Sequence, residues 1–124
     1  MTEIKLGIVG SRGRDTQADF KAVWSAYDDV VQQNINSEIV IISGGAYKGA
    51  DRFAVNIARD QGGKMITYFP HGHNTLDYYA RNRRIAQESD ILIACVAPDR
   101  KGGTENTIDW FRSLHPNGEI IIVE

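Results

Sequence analysis

The sequence has a single cysteine, Cys95, so no internal disulfide can form and a cysteine-rich zinc site is excluded. Such usage fits a reducing, cytoplasmic compartment. No apolar run approaches the roughly 20 residues that a membrane-spanning helix needs. The opening Met1-Thr2-Glu3-Ile4-Lys5 has no basic segment leading into an apolar stretch, so a secretion signal is not expected. There is no excess of positive charge: 14 Lys and Arg face 16 Asp and Glu, a net charge of −2. A general grip on extended nucleic acid shows as a basic balance, which is missing here. Repeats, low-complexity tracts and linker-like stretches are absent too, and 124 residues read as one domain, 1–124.

What is present is an alternation of strand-like and helix-like patterns. Ile4-Lys5-Leu6-Gly7-Ile8-Val9 reads as a first strand. Asp15 or Thr16 can cap a helix over about residues 17–34, whose apolar Phe20, Val23, Trp24, Tyr27, Val30 and Val31 keep helical spacing. The β-branched run Ile39-Val40-Ile41-Ile42 suits a strand buried on both faces. A second helix is expected at about 50–61, closed by Gly62-Gly63. Met65 to Phe69 forms a third strand stopped by Pro70, and a helix follows at about 75–88. Ile91 to Val96, a helix at about 104–114, and Ile120 to Val123 complete the series. Five apolar strands alternating with four helices imply βαβ units and a parallel sheet in an α/β fold. Right-handed crossovers favour a doubly wound sheet, with 3-2-1-4-5 as the expected order. A ligand crevice then opens beyond the C-terminal ends of strands 1 and 4, where the winding reverses.

Three glycine-rich segments fall at that edge, each opening a helix: Gly10-Ser11-Arg12-Gly13-Arg14, Ser43-Gly44-Gly45-Ala46-Tyr47-Lys48-Gly49-Ala50-Asp51, and Asp99-Arg100-Lys101-Gly102-Gly103-Thr104. Glycine lets backbone N–H groups approach a ligand closely. A helix N-terminus adds unpaired donors and partial positive charge, which suits phosphate. Nine of the 14 cations sit in these loops or in one helix: Arg12, Arg14, Lys48, Arg52, Arg81, Arg83, Arg84, Arg100 and Lys101. Cations gathered on one edge of a mildly acidic chain point to a compact anion rather than a long polyanion. None of the loops is a Walker A or a strict dinucleotide fingerprint.

Several residues carry two readings each. Ser11 and Arg12 can cap and solvate the start of a helix, or contact phosphate and ribose. Asp51 can complement the helix dipole or accept from ribose hydroxyls. Arg81 can pair with Asp77 or reach a ligand. Thr104 is placed to cap its helix and, with the Gly102 and Gly103 amides, to hold phosphate. Tyr47, Tyr78 and Tyr79 can stack on a base or pack ordinarily. His71 and His73 have metal-like spacing but no evident third ligand, so no metal is expected, and they read as part of a loop over the pocket. Cys95, Trp24 and Trp110 fit the core and helix packing.

The segments Gly7-Ile8-Val9-Gly10-Ser11-Arg12, Ser43 to Asp51, Arg81-Asn82-Arg83-Arg84-Ile85-Ala86 and Gly102-Gly103-Thr104, in this order over nearly the whole chain, resemble the SLOG superfamily. That group joins LOG-type phosphoribohydrolases, the Rossmann-like domain of the DNA-processing protein DprA, and stand-alone nucleotide-sensing domains. The resemblance implies a Rossmann-like αβα sandwich, a nucleotide-like ligand, no bound cofactor, and a homo-oligomer. A DprA-like branch implies single-stranded DNA binding. A LOG-like branch implies hydrolysis of the N-glycosidic bond of a nucleoside monophosphate by an arginine and a glutamate. The arginine matches Arg81, but the glutamate falls at Thr107, leaving Glu105 or Asp51 as substitute acids. The expected ligand contacts are Gly10, Ser11, Arg12, Ser43, Gly44, Gly45, Lys48, Gly49, Asp51, Arg81, Asn82, Gly102, Gly103 and Thr104. The preferred reading is a module that binds a nucleotide or nucleotide derivative, of nucleoside monophosphate or ADP-ribose type, to sense or sequester it.

Overall fold

The computed structural model describes residues 2–124. Its elements run β1 (Thr2–Gly10), α1 (Gln17–Gln33), β2 (Ser37–Ser43), α2 (Ala50–Gln61), β3 (Lys64–Thr67), α3 (Thr75–Glu88), β4 (Ile91–Cys95), α4 (Gly103–Leu114) and β5 (Glu119–Val123). The five strands form one sheet in the order β3-β2-β1-β4-β5, every neighbouring pair parallel. This is the Rossmann-like α/β architecture that the alternating pattern anticipates.

Strand side chains alternate between faces, and that alternation builds two cores. Leu6, Ile8, Ile41 and Ile93 point to one side, where α1 and α2 cover them with Val23, Phe53 and Ile57. Val9, Val40, Ile42 and Leu92 point to the other, beneath Ile85 of α3 and Phe111 of α4. Each such buried aliphatic side chain contributes about 1.5–3 kcal/mol over an exposed one. With helices on both faces, the strands read as continuous apolar runs rather than as alternating ones.

Local chemistry sets the ends. Thr16, rather than Asp15, caps α1: its hydroxyl accepts from the Asp19 amide while the Asp19 carboxylate accepts from the Thr16 amide, a reciprocal capping box. Asn74 caps α3 through the Asp77 amide. Two expectations shift. Strand β3 stops at Thr67, because its partner β2 ends at Ser43, the residue paired with Thr67, before the glycine loop begins. Thr104 does not cap α4: Gly102 is the capping residue and Thr104 already lies in the first helical turn.

Gly10 shows why the edge tolerates no bulk. A Cβ there would lie 2.7 Å from the Ala50 Cβ and 2.9 Å from the Cys95 Cβ, so only glycine lets the start of α2 sit against the ends of β1 and β4. Strand succession reverses between these two parallel strands: β2 and β3 are added on one side of β1, β4 and β5 on the other. Loops leaving β1 and β4 diverge to opposite faces, and a crevice opens between them.

Candidate functional site

A cleft of about 600 Å³ occupies this crevice. Its floor is Val9 and Gly10 at the end of β1. Ser11 and Arg12 form one wall, with Gly44, Ala46 and Asp51 from the β2–α2 connection beside them. Thr75, Tyr78, Tyr79, Arg81, Asn82 and Ile85 of α3 form the opposite wall. Lys101, Gly102, Gly103, Thr104 and Thr107 close it from α4.

Ten of the residues expected at a ligand therefore meet in one cavity: Gly10, Ser11, Arg12, Gly44, Asp51, Arg81, Asn82, Gly102, Gly103 and Thr104. The others sit behind the wall or outside it. Ser43 is buried and donates its hydroxyl to Asp51 Oδ1 at 3.2 Å. Gly45 lies beneath the Phe69 ring. Lys48 is exposed, with its ammonium 5.7 Å from the centre of the Tyr47 ring. The Gly49 amide donates to Asp15 Oδ1 at 2.7 Å. Glu105 does not line the cleft and is held in a two-pronged pair with Arg100, at 2.9 and 3.0 Å. His71, His73 and Tyr47 do not line the cleft. Among the described residues, no group of three or more His, Cys, Asp or Glu is placed to hold a metal.

The cations divide in a way that spacing does not reveal. Arg14 is committed to the fold: it pairs with Asp19 at 2.7 Å and donates to the carbonyls of Val96 and Glu124. The Asp19 hydrogen bond holds its pKa above the usual arginine value, against the opposing cost of burial. Arg52 pairs with Asp15 at 2.9 Å. Arg83 lies over the Trp110 ring and Arg84 over the Tyr68 ring. Among the described residues, only these cations line the cleft: Arg12, Arg81 and Lys101.

The single carboxylate among the lining residues is Asp51, and it is already engaged. Its Oδ1 accepts from Ser43 Oγ and the Gly44 amide, its Oδ2 from the Ala46 amide at 3.0 Å. Asp51 thus shapes the β2–α2 loop from within. Arg81 closes the same loop from across the cleft, donating through Nη1 to the Gly44 carbonyl at 2.6 Å. It makes no ion pair with Asp77; that expectation gives way because the side chain turns toward the loop. Burial pulls the Arg81 guanidinium below the usual arginine range; Asp51 opposes that shift and the positive charge of Arg12 adds to it. A like-charged pair held this way gains from an anion between its members.

At the α4 end, the N-terminal turn has no side-chain cap. Gly102, Gly103 and Thr104 at this start line the cleft, and Thr107 Oγ1 donates to the Gly103 carbonyl at 3.2 Å. In the β2–α2 connection, by contrast, the Gly44 and Ala46 amides are taken by Asp51 and the Gly49 amide by Asp15. Sequence reasoning did not place Val9, Ala46, Thr75 or Ile85 at the site, and it named Thr107 only as the position where the LOG-type glutamate falls. For Ile85 a signal existed, since it lies one helical turn from Arg81 and Asn82. Among the described residues, no helix is long and apolar enough to cross a membrane.

Comparison with known proteins adds one finding. No curated protein matches the chain. A family model, described as the YspA, cpYpsA-related SLOG family, matches residues 8–74, over half of the chain. The match spans the end of β1, both glycine loops on that side of the cleft, and the approach to α3. With the parallel sheet, its strand order and the convergence of these loops on one crevice, the chain belongs to the YspA, cpYpsA-related SLOG family (YAcAr).

Proposed function

We propose that the cleft binds a phosphate-bearing nucleotide or nucleotide derivative, and that the protein works as a binding module that senses or sequesters it. The observation that carries this reading is the charge arrangement of the cleft. Three cations, Arg12, Arg81 and Lys101, line it beside one carboxylate whose two oxygens are already engaged. Arg81 Nη2 has no protein partner among the described residues. Guanidinium donors and an uncapped helix N-terminus together favour a phosphate group.

The wall of Tyr78 and Tyr79 suits the base or sugar end of the same ligand. Base–aromatic stacking is worth about 1–3 kcal/mol. Hydrolysis of an N-glycosidic bond would call for an acid within reach. Glu105 is held by Arg100, Asp51 is spent on backbone amides, and Thr107 carries no carboxylate. Binding is what this set of groups supports.

Isothermal titration against AMP, ADP, ADP-ribose and cyclic nucleotides tests the reading. At least one should bind with affinity that falls as salt rises, because cation–phosphate contacts are screened. Absence of heat with every one of them at millimolar concentration would overturn it.

A further inference from the structure

Asn82 is 5 % exposed, on the inward face of α3, and a buried amide is costly unless its donors and acceptor are all matched. Here they are. Asn82 Oδ1 accepts from Arg81 Nε at 3.0 Å. Asn82 Nδ2 donates to the Gly103 carbonyl and to Asn106 Oδ1, both at 3.3 Å. The reversed amide would set its NH₂ against the Arg81 Nε–H, so the network fixes its orientation.

Side chains at successive helical positions do not face one another. The Arg81–Asn82 bond therefore requires the arginine stem to fold back along α3. Arg81 is held at both ends as a result: Nε on Asn82, and Nη1 on the Gly44 carbonyl. Only Nη2 is left for a ligand. On its other side, Asn82 grips the first residue of α4 and the side chain three positions on. A continuous chain of hydrogen bonds then runs from Asp51 through the Gly44 loop, Arg81 and Asn82 to the first turn of α4.

We infer that Asn82 is a positioning residue, not a ligand contact: it holds the Arg81 guanidinium and the α4 N-terminus in one geometry, so that the two anion-binding groups meet a phosphate already aligned. The inference rests on reading the cleft as a phosphate site, and it concerns how that site is built. Preorganised donors bind an anion more tightly because nothing needs reordering when it arrives.

The test uses the full chain with ADP and inorganic phosphate as probes, and the Arg81 Nε–H and residue 103–105 amide signals by ¹⁵N NMR. The wild-type Arg81 Nε–H signal, assigned by its loss in Arg81→Lys, should be sharp and slow to exchange. Asn82→Ala should broaden or lose it and weaken ADP binding by roughly tenfold or more. Asn82→Asp keeps an acceptor for Arg81 but no donor for α4. It should retain the Arg81 signal, shift the 103–105 amides and weaken both probes; it also serves if the alanine variant does not fold. In an Arg81→Lys background, Asn82→Ala should cost less than about twofold more, since contacting residues are not additive. His115→Ala is the control: His115 joins α4 to the Ala86 carbonyl at 3.0 Å, outside the cleft, and its loss should lower stability without changing affinity.

Asn82 variants that keep the Arg81 Nε–H signal, the 103–105 amide positions and near wild-type affinity would overturn the inference. Wild-type protein that binds neither probe, nor any nucleotide of the calorimetric series, would sink the phosphate reading instead. In that event the coupling is judged by NMR alone: Arg81→Lys should move the 103–105 amides when Asn82 is present and leave them in place in the Asn82→Ala background, and an equal shift in both would overturn it.

Discussion

Arg12 and Arg14 stand two residues apart and serve opposite purposes. Arg14 spends its guanidinium on Asp19 and on the carbonyls at the ends of the sheet, binding the first loop to the last strand. Arg12 makes no hydrogen bond or ion pair with the protein among the described residues, and it lines the cleft. The two alanine variants should therefore separate binding from stability. Arg14→Ala should lower unfolding free energy by at least about 2 kcal/mol, since hydrogen bonds to charged groups carry about 1.5–3 kcal/mol each, and leave nucleotide affinity nearly unchanged. Arg12→Ala should leave stability within about 0.5 kcal/mol, as surface changes do, and weaken binding by about 10- to 100-fold, one such bond's worth. Denaturant melts and calorimetric titration of both variants check this; equal losses of affinity would contradict it.

At the scale of elements, helix starts are built in two ways. Helices α1 and α3 carry side-chain caps; α2 and α4 begin at glycines with positive φ and no side-chain cap. Caps serve stability, so Thr16→Ala should cost about 1 kcal/mol with no effect on ligand binding. The start of α4 is open for another reason. Gly102 has φ 109° and ψ −162°, and a Cβ there would meet nothing within 4 Å. Space is free, but the backbone conformation belongs to glycine, so Gly102→Ala should cost about 1–3 kcal/mol in strain or tilt the first turn of α4. The expected outcome is a lower melting temperature together with weaker phosphate binding, measured side by side with Thr16→Ala, which should lower the melting temperature alone.

For the whole molecule, the cleft edge is tied together by carboxylates, and acid should undo it. Burial opposes the charge on Asp19, but hydrogen bonds from Arg14 and Thr16 outweigh it and hold its pKa below the ordinary aspartate value. The Gly49 amide, then Arg52, do the same for Asp15. A carboxylate with a depressed pKa in the folded state stabilises the fold above its unfolded pKa and loses that contribution as pH falls through the folded value. Stability should be level above about pH 5 and decline below about pH 4. Asp19→Asn should be less stable than wild type at pH 7, and the difference should close toward pH 2.5, as followed by thermal melts. A difference that persists unchanged in acid would mean that Asp19 acts through packing rather than charge.

Much of this protein could be read along the chain. β-branched runs such as Ile39 to Ile42, helical spacing from Phe20 to Val31 and glycines at fixed offsets are local signals, and they determined the elements, the parallel order and the edge where loops converge. Partner choice is not local. Arg52 meets Asp15 from 37 positions away, Arg81 meets Gly44 from 37, and Arg14 reaches Glu124 from 110. Of nine cations near the edge, only the tertiary structure decided that three line the cleft while Arg14, Arg52, Arg83, Arg84 and Arg100 meet protein partners and Lys48 stays exposed. The reason is physical: a charged side chain is bound by whichever acceptor folding brings within about 3 Å, and chain spacing alone does not state that distance.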